Sequence, residues 1–146
     1  MLVVTAAAGE ERAGCLVGFA TQCSIDPGRL IVCLSERNHT FRVALLADTL
    51  VVHYLSEDDF ELAKLFGEET GDEVDKFARC QWQPGPAGAP VLSGVRGWVA
   101  GRAVERFDVG DHTAFVLEPF AGEVGDDSGP QLGFQAVRGF NPGHEA

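Results

Sequence analysis

Short apolar runs separated by turn residues recur along the chain and predict a protein built mostly of β-strands. Residues 2–6 and 15–21 form two such runs around a polar turn, which predicts a hairpin. The third run, residues 30–34, is apolar throughout, so we expect a strand that is buried on both faces. Further strands are expected at residues 50–55, 98–107, 112–117 and 132–140.

Two stretches carry helix signals instead. Asn38 or Thr40 is suited to cap a short helix that continues to residue 46, because either side chain can accept a hydrogen bond from a first-turn amide. A second helix is predicted to begin at Ser56, to carry acidic residues in its first turn and to end at Gly67. Six or more strands with two short helices indicate a mainly β fold, a small and mostly antiparallel barrel.

The remaining segments read as connections. Residues 83–90, rich in proline and glycine, predict a rigid and irregular link without the lysine of a phosphate-binding loop. Residues 122–130 are acidic and are expected to be loose, and residues 141–146 form a polar tail. With 146 residues and no internal repeat, the chain is expected to be a single domain.

The charge balance narrows the classes of partner. The chain carries 22 acidic and 11 basic side chains, a net charge of −11 at pH 7. Such an acidic surface repels nucleic acid and anionic membranes, so we expect neither as a partner. Any phosphate site must therefore be local and built from main-chain amides with one or two arginines.

Cysteine usage and the N-terminal residues suggest a compartment. The four cysteines contain no C-x-x-C pair, which argues against a zinc site. They lie mostly in apolar runs, as free buried thiols do, so we expect a reducing, cytoplasmic location. The N-terminus lacks the basic and apolar regions of a signal peptide, and no apolar stretch approaches the length of a membrane span.

The most informative stretch for function runs from residue 14 to residue 40. Gly18 lies inside a predicted strand, where a glycine often marks the close approach of a ligand, although small barrels also use glycines to curl. The polar loop at 35–40 opens a helix and is a natural anion site, and Arg37 beside it favours a phosphate. Asn38 and Thr40 would serve as helix caps with or without an anion.

Three histidines outside the polar loop complete the candidate chemistry. His53 lies in an apolar strand and is expected to be a core residue with satisfied hydrogen bonds rather than a ligand. His112 follows a turn and, on local pattern alone, would be structural, while His144 belongs to the tail and is given no role. The sequence shows no evident Ser/His/Asp or Cys/His set, which favours chemistry carried by cofactors.

Several motifs occur in a recognisable order. Residues 14–27 align in part with the pattern G-x-x-x-x-S-F-x-S-V-S-x-D-P-P, residues 32–35 (V-C-L-S) precede Asn38 and Thr40, and residues 110–113 read G-D-H-T. With these motifs the chain resembles the flavin reductase-like, FMN-binding split-barrel family over nearly its whole length. The resemblance implies one split β-barrel domain over residues 1–146, with residues 126–146 as a loose C-terminal extension.

The resemblance also implies an activity. Members of this family use NADH or NADPH to reduce flavin, often to supply reduced flavin to a partner monooxygenase. It therefore implies FMN as the cofactor, with FAD or a deazaflavin left open, and NAD(P)H as co-substrate. It further implies a homodimer with the flavin near the interface.

Matching the motifs residue by residue assigns roles to eleven positions. The flavin ring would lie against Val17, Gly18, Phe19 and Ala20. The phosphate would be held by the end of the first motif and by the following loop, at Gln22, Ser24, Arg37, Asn38, His39 and Thr40. His112 would act as the catalytic residue near the nicotinamide or the flavin ring.

Three departures from the family pattern bear on the site. The family's earlier serine is Gln22 here, its valine is Cys23 and its second proline is Gly28. A hydroxyl ligand of the pattern is thereby replaced. An alternative function is therefore a non-catalytic protein that binds flavin, deazaflavin or haem on the same barrel.

Overall fold

Seven antiparallel strands pair in one sheet in the computed structural model, which describes residues 1–125 and 129–144. Their order across the sheet is β2-β1-β5-β8-β9-β4-β3. The bounds of these strands are β1 Leu2–Ala8, β2 Glu11–Val17, β3 Ala20–Ser24, β4 Arg29–Ser35, β5 Thr49–Tyr54, β8 Gly97–Asp108 and β9 His112–Val124. Two short strands, β6 Trp82–Pro84 and β7 Pro90–Leu92, form a separate hairpin. The fold is therefore mainly β and antiparallel, as the sequence predicts.

The two edges of the large sheet are neighbours in sequence. β2 is one edge and β3 is the other, and only Gly18 and Phe19 connect them. Two residues cannot span a flat seven-stranded sheet, so the sheet curls until its edges meet at this point. We call Gly18 and Phe19 the seam. The prediction of one strand over residues 15–21 is wrong, because the chain leaves one edge and joins the other halfway along that run.

The interior of the curled sheet is apolar. Val32 and Leu34 of β4 pack there with Phe115 of β9, all at 1% exposure or less. Burial of such a side chain contributes about 1.5–3 kcal/mol each. Ile31 and Cys33 on the other face of β4 are half-buried, so the expectation of a strand buried on both faces holds only for the inner one.

β8 and β9 make the longest hairpin. Their pairing runs from Gly97↔Val124 to Asp108↔Thr113, with irregularities after Ala100 and after Ala103. The predicted pair of strands is confirmed, but β9 continues seven residues beyond the predicted end at residue 117. Residues 122–124 of the segment expected to be loose are thus part of a strand, and residues 126–128 lie outside the described residues.

Helix α1, His39–Leu46, begins where the polar loop predicts. Asn38 is the cap, because its Oδ1 accepts a hydrogen bond from the Thr40 amide at 2.8 Å, which decides between the two candidates. Helix α2, Phe60–Glu68, follows a 3₁₀ turn that Ser56 opens with Asp59 as its capping partner.

Gly67 does not end α2 as predicted but lies inside the helix. A side chain there would meet Leu16 Cδ2 at 2.9 Å and Phe140 Cδ2 at 3.2 Å. Glycine here allows the Leu16 and Phe140 side chains to pack closely on α2, and a larger residue would make them shift. No helix in the described ranges is long and apolar enough to cross a membrane.

Two segments have a secondary structure that differs from the predicted one. Residues 83–90 are not wholly irregular, since they belong to the β6–β7 hairpin and its turn. Residues 132–140 do not form a strand but contain a short helix, α3 Phe134–Val137. Leu132 and Val137 are buried, and the Leu132 amide donates to Leu55 O at 2.9 Å. The described part of the expected loose extension is thus packed on the barrel, and residues 145–146 lie outside the described residues.

Candidate functional site

A cavity of about 200 Å³ lies beside the seam. It is bounded by the ends of β2 and β4, the start of β9, the cap of α1 and the C-terminal residues. The side chains and main chain that line it belong to Cys15, Leu16, Val17, Gly18, Phe19, Cys33, Leu34, Ser35, Asn38, His112, Pro142 and His144. Five residues predicted for the site, Val17, Gly18, Phe19, Asn38 and His112, therefore meet here.

Gly18 has no structural reason within this fold to be a glycine. A side chain at this position would have Met1 Cε, at 3.6 Å, as its nearest neighbour, which is an ordinary contact distance. Its backbone is also not in the left-handed region that favours glycine. Both Gly18 and Phe19 are exposed, so the seam offers bare main chain to a ligand.

His112 stands at the start of β9 with its ring against Phe19. The two ring centroids are 5.2 Å apart at an interplanar angle of 64°. His112 Nδ1 donates to Asp111 Oδ1 at 2.6 Å, and this hydrogen bond holds the pKa of the Asp111 carboxyl below its usual value. The carboxylate fixes the ring and its Nδ1 proton, which leaves Nε2 as the imidazole's chemically available nitrogen.

The opposite end of the cavity is the cap of α1. Ser35 Oγ accepts from the Arg37 amide at 3.4 Å, and the Asn38 amide donates to Ser35 O at 3.0 Å. Asn38 Oδ1 is taken by Thr40, and its Nδ2 contacts His144 Nε2 at 3.1 Å. This end is polar and carries the positive end of the helix dipole, whereas the cavity walls are mostly apolar.

Two thiols also face the cavity. Burial raises the pKa of both the Cys15 and the Cys33 thiols. Both groups therefore stay protonated at neutral pH and are poor nucleophiles. The cavity offers flat apolar walls, a polar end and one oriented imidazole, but no activated nucleophile.

A second cavity of about 210 Å³ shares Val17 and Gly18 with the first. Two more predicted residues, Ala20 and Gln22, lie on its wall. The Gln22 side chain turns along β3 and donates to Ser24 O at 3.2 Å. The seam therefore separates two spaces, and a flat ligand larger than either can extend along it.

The remaining predicted residues are not brought to these cavities. His39 points to the other side of α1, where Nε2 lies 3.2 Å from Glu11 Oε1 and Nδ1 lies 3.1 Å from Asp72 Oδ1. Thr40 is buried, while the Arg37 side chain is exposed on the loop. Ser24 ends β3, half-buried. Their assignment to phosphate binding stays a prediction.

The lining residues that sequence reasoning did not assign to the site include Cys15, Cys33, Pro142 and His144. The two cysteines stand in the motifs that predict the site, so strand alternation could have suggested them. Pro142 and His144 carry no such signal, because they reach the cavity only through the docking of the C-terminal residues on α2.

His53 is confirmed as a core residue. It is fully buried, its Nδ1 contacts Val3 O at 3.0 Å and its Nε2 accepts from the Leu92 amide at 3.0 Å. Burial lowers the pKa of His53 to about 4. Among residues 1–125 and 129–144 no cluster of side chains suited to a metal ion is found.

Comparison with known proteins points to one group. The flavin reductase like domain family matches residues 1–143. The chain is 29% identical over 132 residues to the reductase component of the FADH(2)-dependent resorcinol hydroxylase of a Rhizobium strain, covering 89% of this chain and 73% of that protein. It is 30% identical to the reductase component of 4-hydroxyphenylacetate 3-monooxygenase from Pseudomonas aeruginosa, covering 71% of this chain and 63% of that protein.

A solved structure shares the fold. The FMN-binding protein of Thermus thermophilus with bound 1-cyclohex-2-enone superposes with a TM-score of 0.79 at 26% identity, over 84% of this chain and 68% of that one. Some relatives are considerably longer, since the chain spans only 37% and 50% of two further proteins from Rhizobium meliloti.

Proposed function

The chain belongs to the family of flavin reductase-like domains, and we propose that it is an NAD(P)H-dependent oxidoreductase that reduces FMN by hydride transfer from the nicotinamide. The observation that carries the proposal is the seam. Gly18 is a glycine that neither packing nor backbone conformation requires, and it lies between two cavities beside an oriented histidine. Bare main chain with an aromatic side chain next to it suits the face of a flat heteroaromatic ring.

The residues present fit a flavin nucleotide. Val17 and Leu34 are apolar walls for a ring, and the Asn38 cap of α1 lies at the polar end, where a phosphate would meet the helix dipole. Ligand sites typically measure roughly 300–1,000 Å³, so neither cavity alone holds FMN and we expect the flavin to extend along the seam. The net charge of −11 makes a local, main-chain phosphate site the suitable kind.

We expect the chain's own residues to orient the flavin and the nicotinamide and to exclude water, not to attack either molecule as a nucleophile. Bound flavin supplies the hydride acceptor, and reduced nicotinamide supplies the hydride. Phe19 and His112 would place the nicotinamide within roughly 3–3.5 Å of the acceptor atom. The Asp111 carboxylate would keep the His112 proton on Nδ1, so that Nε2 meets the substrate in a fixed orientation.

The acceptor of reduced flavin is proposed to be a partner monooxygenase. Support comes from relatives that are themselves reductase components of hydroxylating systems. The four cysteines are free thiols in the structure, which supports a reducing, cytoplasmic compartment.

A homodimer is part of the same proposal. Exposed apolar side chains occur at the end of α1 and on β8, with Leu46 at 77% and Val104 at 46% exposure. Arg106 joins these elements by donating to Ala47 O at 2.9 Å. Such a patch suits a protein interface. Leu46→Glu should convert a dimer to a monomer in light scattering, and an unchanged mass would remove this patch from the interface.

A spectroscopic experiment tests the function directly. The protein is incubated with FMN and desalted, and its visible spectrum is followed after addition of NADH, then NADPH, without oxygen. Retained flavin bands that bleach support the reductase. Retained bands that persist with both nucleotides favour the binding-only alternative. If no flavin is retained, turnover with free FMN decides, and absence of turnover contradicts the proposal. FAD and a deazaflavin in parallel establish the preferred flavin.

A variant pair tests the role of the seam. Gly18→Val should weaken FMN binding by about tenfold or more, because the side chain projects into the space beside the ring. Gly133→Ala is the matched control, since a side chain there meets no atom within 4 Å and Gly133 lies before α3. Equal affinity in Gly18→Val and wild type would remove the seam from the flavin site.

A further inference from the structure

The C-terminal residues 139–144, which we call the strap, are fixed on α2. The Phe140 ring packs on Phe60 with centroids 5.4 Å apart, and the Asn141 amide donates to Glu68 Oε1 at 3.2 Å. The Gly143 amide donates to Gly67 O at 3.3 Å. These contacts hold the strap in one path from α2 toward the cap of α1.

The strap comes closest to α2 at Gly143. A side chain there would lie 2.7 Å from the Glu69 carbonyl carbon and 2.8 Å from Glu68 O, both main-chain atoms. Main-chain neighbours cannot turn aside, so only glycine lets the strap lie this near to α2. The position of His144, the next residue, is therefore set by the fold.

The strap ends on the candidate cavity. Pro142 and His144 both line it, and His144 is half-buried. His144 Nε2 lies 3.1 Å from Asn38 Nδ2. Because Asn38 Oδ1 accepts from the Thr40 amide, the Asn38 group that faces His144 is the NH₂ donor. His144 Nε2 is consequently the acceptor, and the proton of the neutral ring is on Nδ1.

We propose that the strap is the closing wall of the flavin site and that His144 contacts the ribityl-phosphate portion of the bound nucleotide. The inference rests on the proposed function, because it names a further residue of that same site. Three observations lead to it. His144 lines the cavity, and it is paired with Asn38, the cap residue at the polar end. The strap that carries His144 is fixed on α2 by close contacts. His112 and Phe19 mark the ring end, so the two histidines serve different parts of one ligand.

The pairing with Asn38 explains how His144 contributes. Asn38 is held at both ends of its carboxamide, by Thr40 and by His144, so its orientation is set before a ligand arrives. The hydrogen bond from Asn38 to Nε2 fixes the His144 ring, which therefore forms a rigid part of the cavity wall. Such preorganisation improves affinity by reducing the ordering that binding requires.

Equilibrium titration with FMN tests the inference. His144→Ala should raise the dissociation constant about tenfold, and Gly143→Val, which displaces the strap, should raise it at least as much. Gln135→Ala is the control, since Gln135 lies exposed on the neighbouring α3 and its side chain contacts Arg138 outside the cavity. Unchanged or tighter binding in both His144→Ala and Gly143→Val would overturn the inference.

A resonance experiment separates ligand contact from a merely structural role. In protein labelled with ¹⁵N-histidine and without FMN, the His144 ring should show the NMR signature of protonation on Nδ1, and this signal is identified by its loss in His144→Ala. Addition of FMN should shift the His144 ring nitrogens, while His53, enclosed between Val3 and Leu92, should stay in place. A His144 signal that does not move with saturating FMN contradicts the contact.

The wild-type titration distinguishes the two levels of failure. If wild-type protein binds no FMN and reduces none, the proposed function fails and the strap loses its ligand. If wild-type protein binds FMN and the strap variants bind it equally well, only the strap inference fails. Melting temperatures of the variants, measured in parallel, exclude unfolding as the cause of weaker binding.

Discussion

Two regions of the molecule each hold one strand-borne histidine and use it in opposite ways. His53 lies inside the curled sheet, and both of its ring nitrogens are paired with main-chain groups of other strands. His112 lies at the cavity mouth, where its side chain is 21% exposed and Nδ1 is paired with the neighbouring carboxylate. The first imidazole has all its hydrogen bonds committed to the fold, whereas the second is oriented by one bond and turned toward a cavity.

The two histidines differ in the groups that hold their rings. Both lie in strands, but His53 is paired with main-chain groups and His112 with a carboxylate. Burial lowers the pKa of His53 to about 4, which keeps it neutral and unreactive at physiological pH. At His112 the partner is the exposed Asp111 carboxylate, which orients the ring without enclosing it.

The largest effect should come from the interior. His53→Leu leaves Val3 O and the Leu92 amide without partners in a dry environment, so we expect the free energy of unfolding to fall by about 2–5 kcal/mol. Urea denaturation measures it. His112→Leu, the control at the cavity mouth, should change stability by less than about 1 kcal/mol. Equal losses in the two variants would contradict the distinction.

The second largest effect should be a loss of stability at acidic pH, caused by the buried His53. The pKa of His53 is about 4 in the folded protein against 6.5 in the unfolded chain. Between these values the unfolded state binds the proton and the folded state does not, so stability falls as pH falls from 6.5 to 4, by about 3 kcal/mol. Unfolding curves across this range should show the loss, and His53→Gln should lack that part of the slope. A slope that His53→Gln keeps would assign it to other groups.

At the cavity mouth the effect should appear in turnover instead. His112→Ala should lower kcat for NAD(P)H-driven FMN reduction about 30-fold, because the nicotinamide loses its oriented wall. Its melting temperature should stay within a few degrees of wild type, and His112→Gln should recover part of the rate. Full activity of His112→Ala would show that this histidine only starts β9.

The smallest effect should follow from substitution of Asp111, whose carboxylate orients His112. Asp111→Asn keeps an acceptor for His112 Nδ1 but removes the charge, and the pair is exposed, so kcat should fall only about threefold. Asp58→Asn, on the exposed turn before α2, is the control and should leave the rate unchanged. A loss as large as that of His112→Ala would mean that the charge, not the orientation, supports turnover.

Local pattern predicts those parts of the fold that local forces decide. The continuous apolar run at β4 and the cap of α1 at Asn38 both appear where expected, because burial and capping act within a few residues. Local pattern predicts strand interior at the seam, because the apolar run is continuous there and only the whole sheet decides which edge a strand joins. Residues 132–140 carry an apolar pattern that fits strand and helix equally, and tertiary packing selects α3.

The site residues divide in the same way into those that local motifs predict and those that tertiary packing decides. Val17 to Phe19, Asn38 and His112 come together because motifs in fixed order bring strand ends to one place. His39, next to Asn38, turns instead toward Glu11 and Asp72, since successive helical residues face different directions. His144 could not be predicted, because its position depends on Gly143 fitting against α2, a contact between residues more than seventy positions apart.

The short connection between β2 and β3 would give a flavin bound as proposed a role in cooperativity. A molecule lying along Gly18 and Phe19 would touch both edge strands of the large sheet, β2 and β3, which do not pair with each other in the described part of the chain, and would hold these two edges together. Its binding energy opposes separation of the two edges, which is the natural first step of local opening. Amide hydrogens of β2 and β3, at opposite ends of the strand order, should therefore become protected from exchange together.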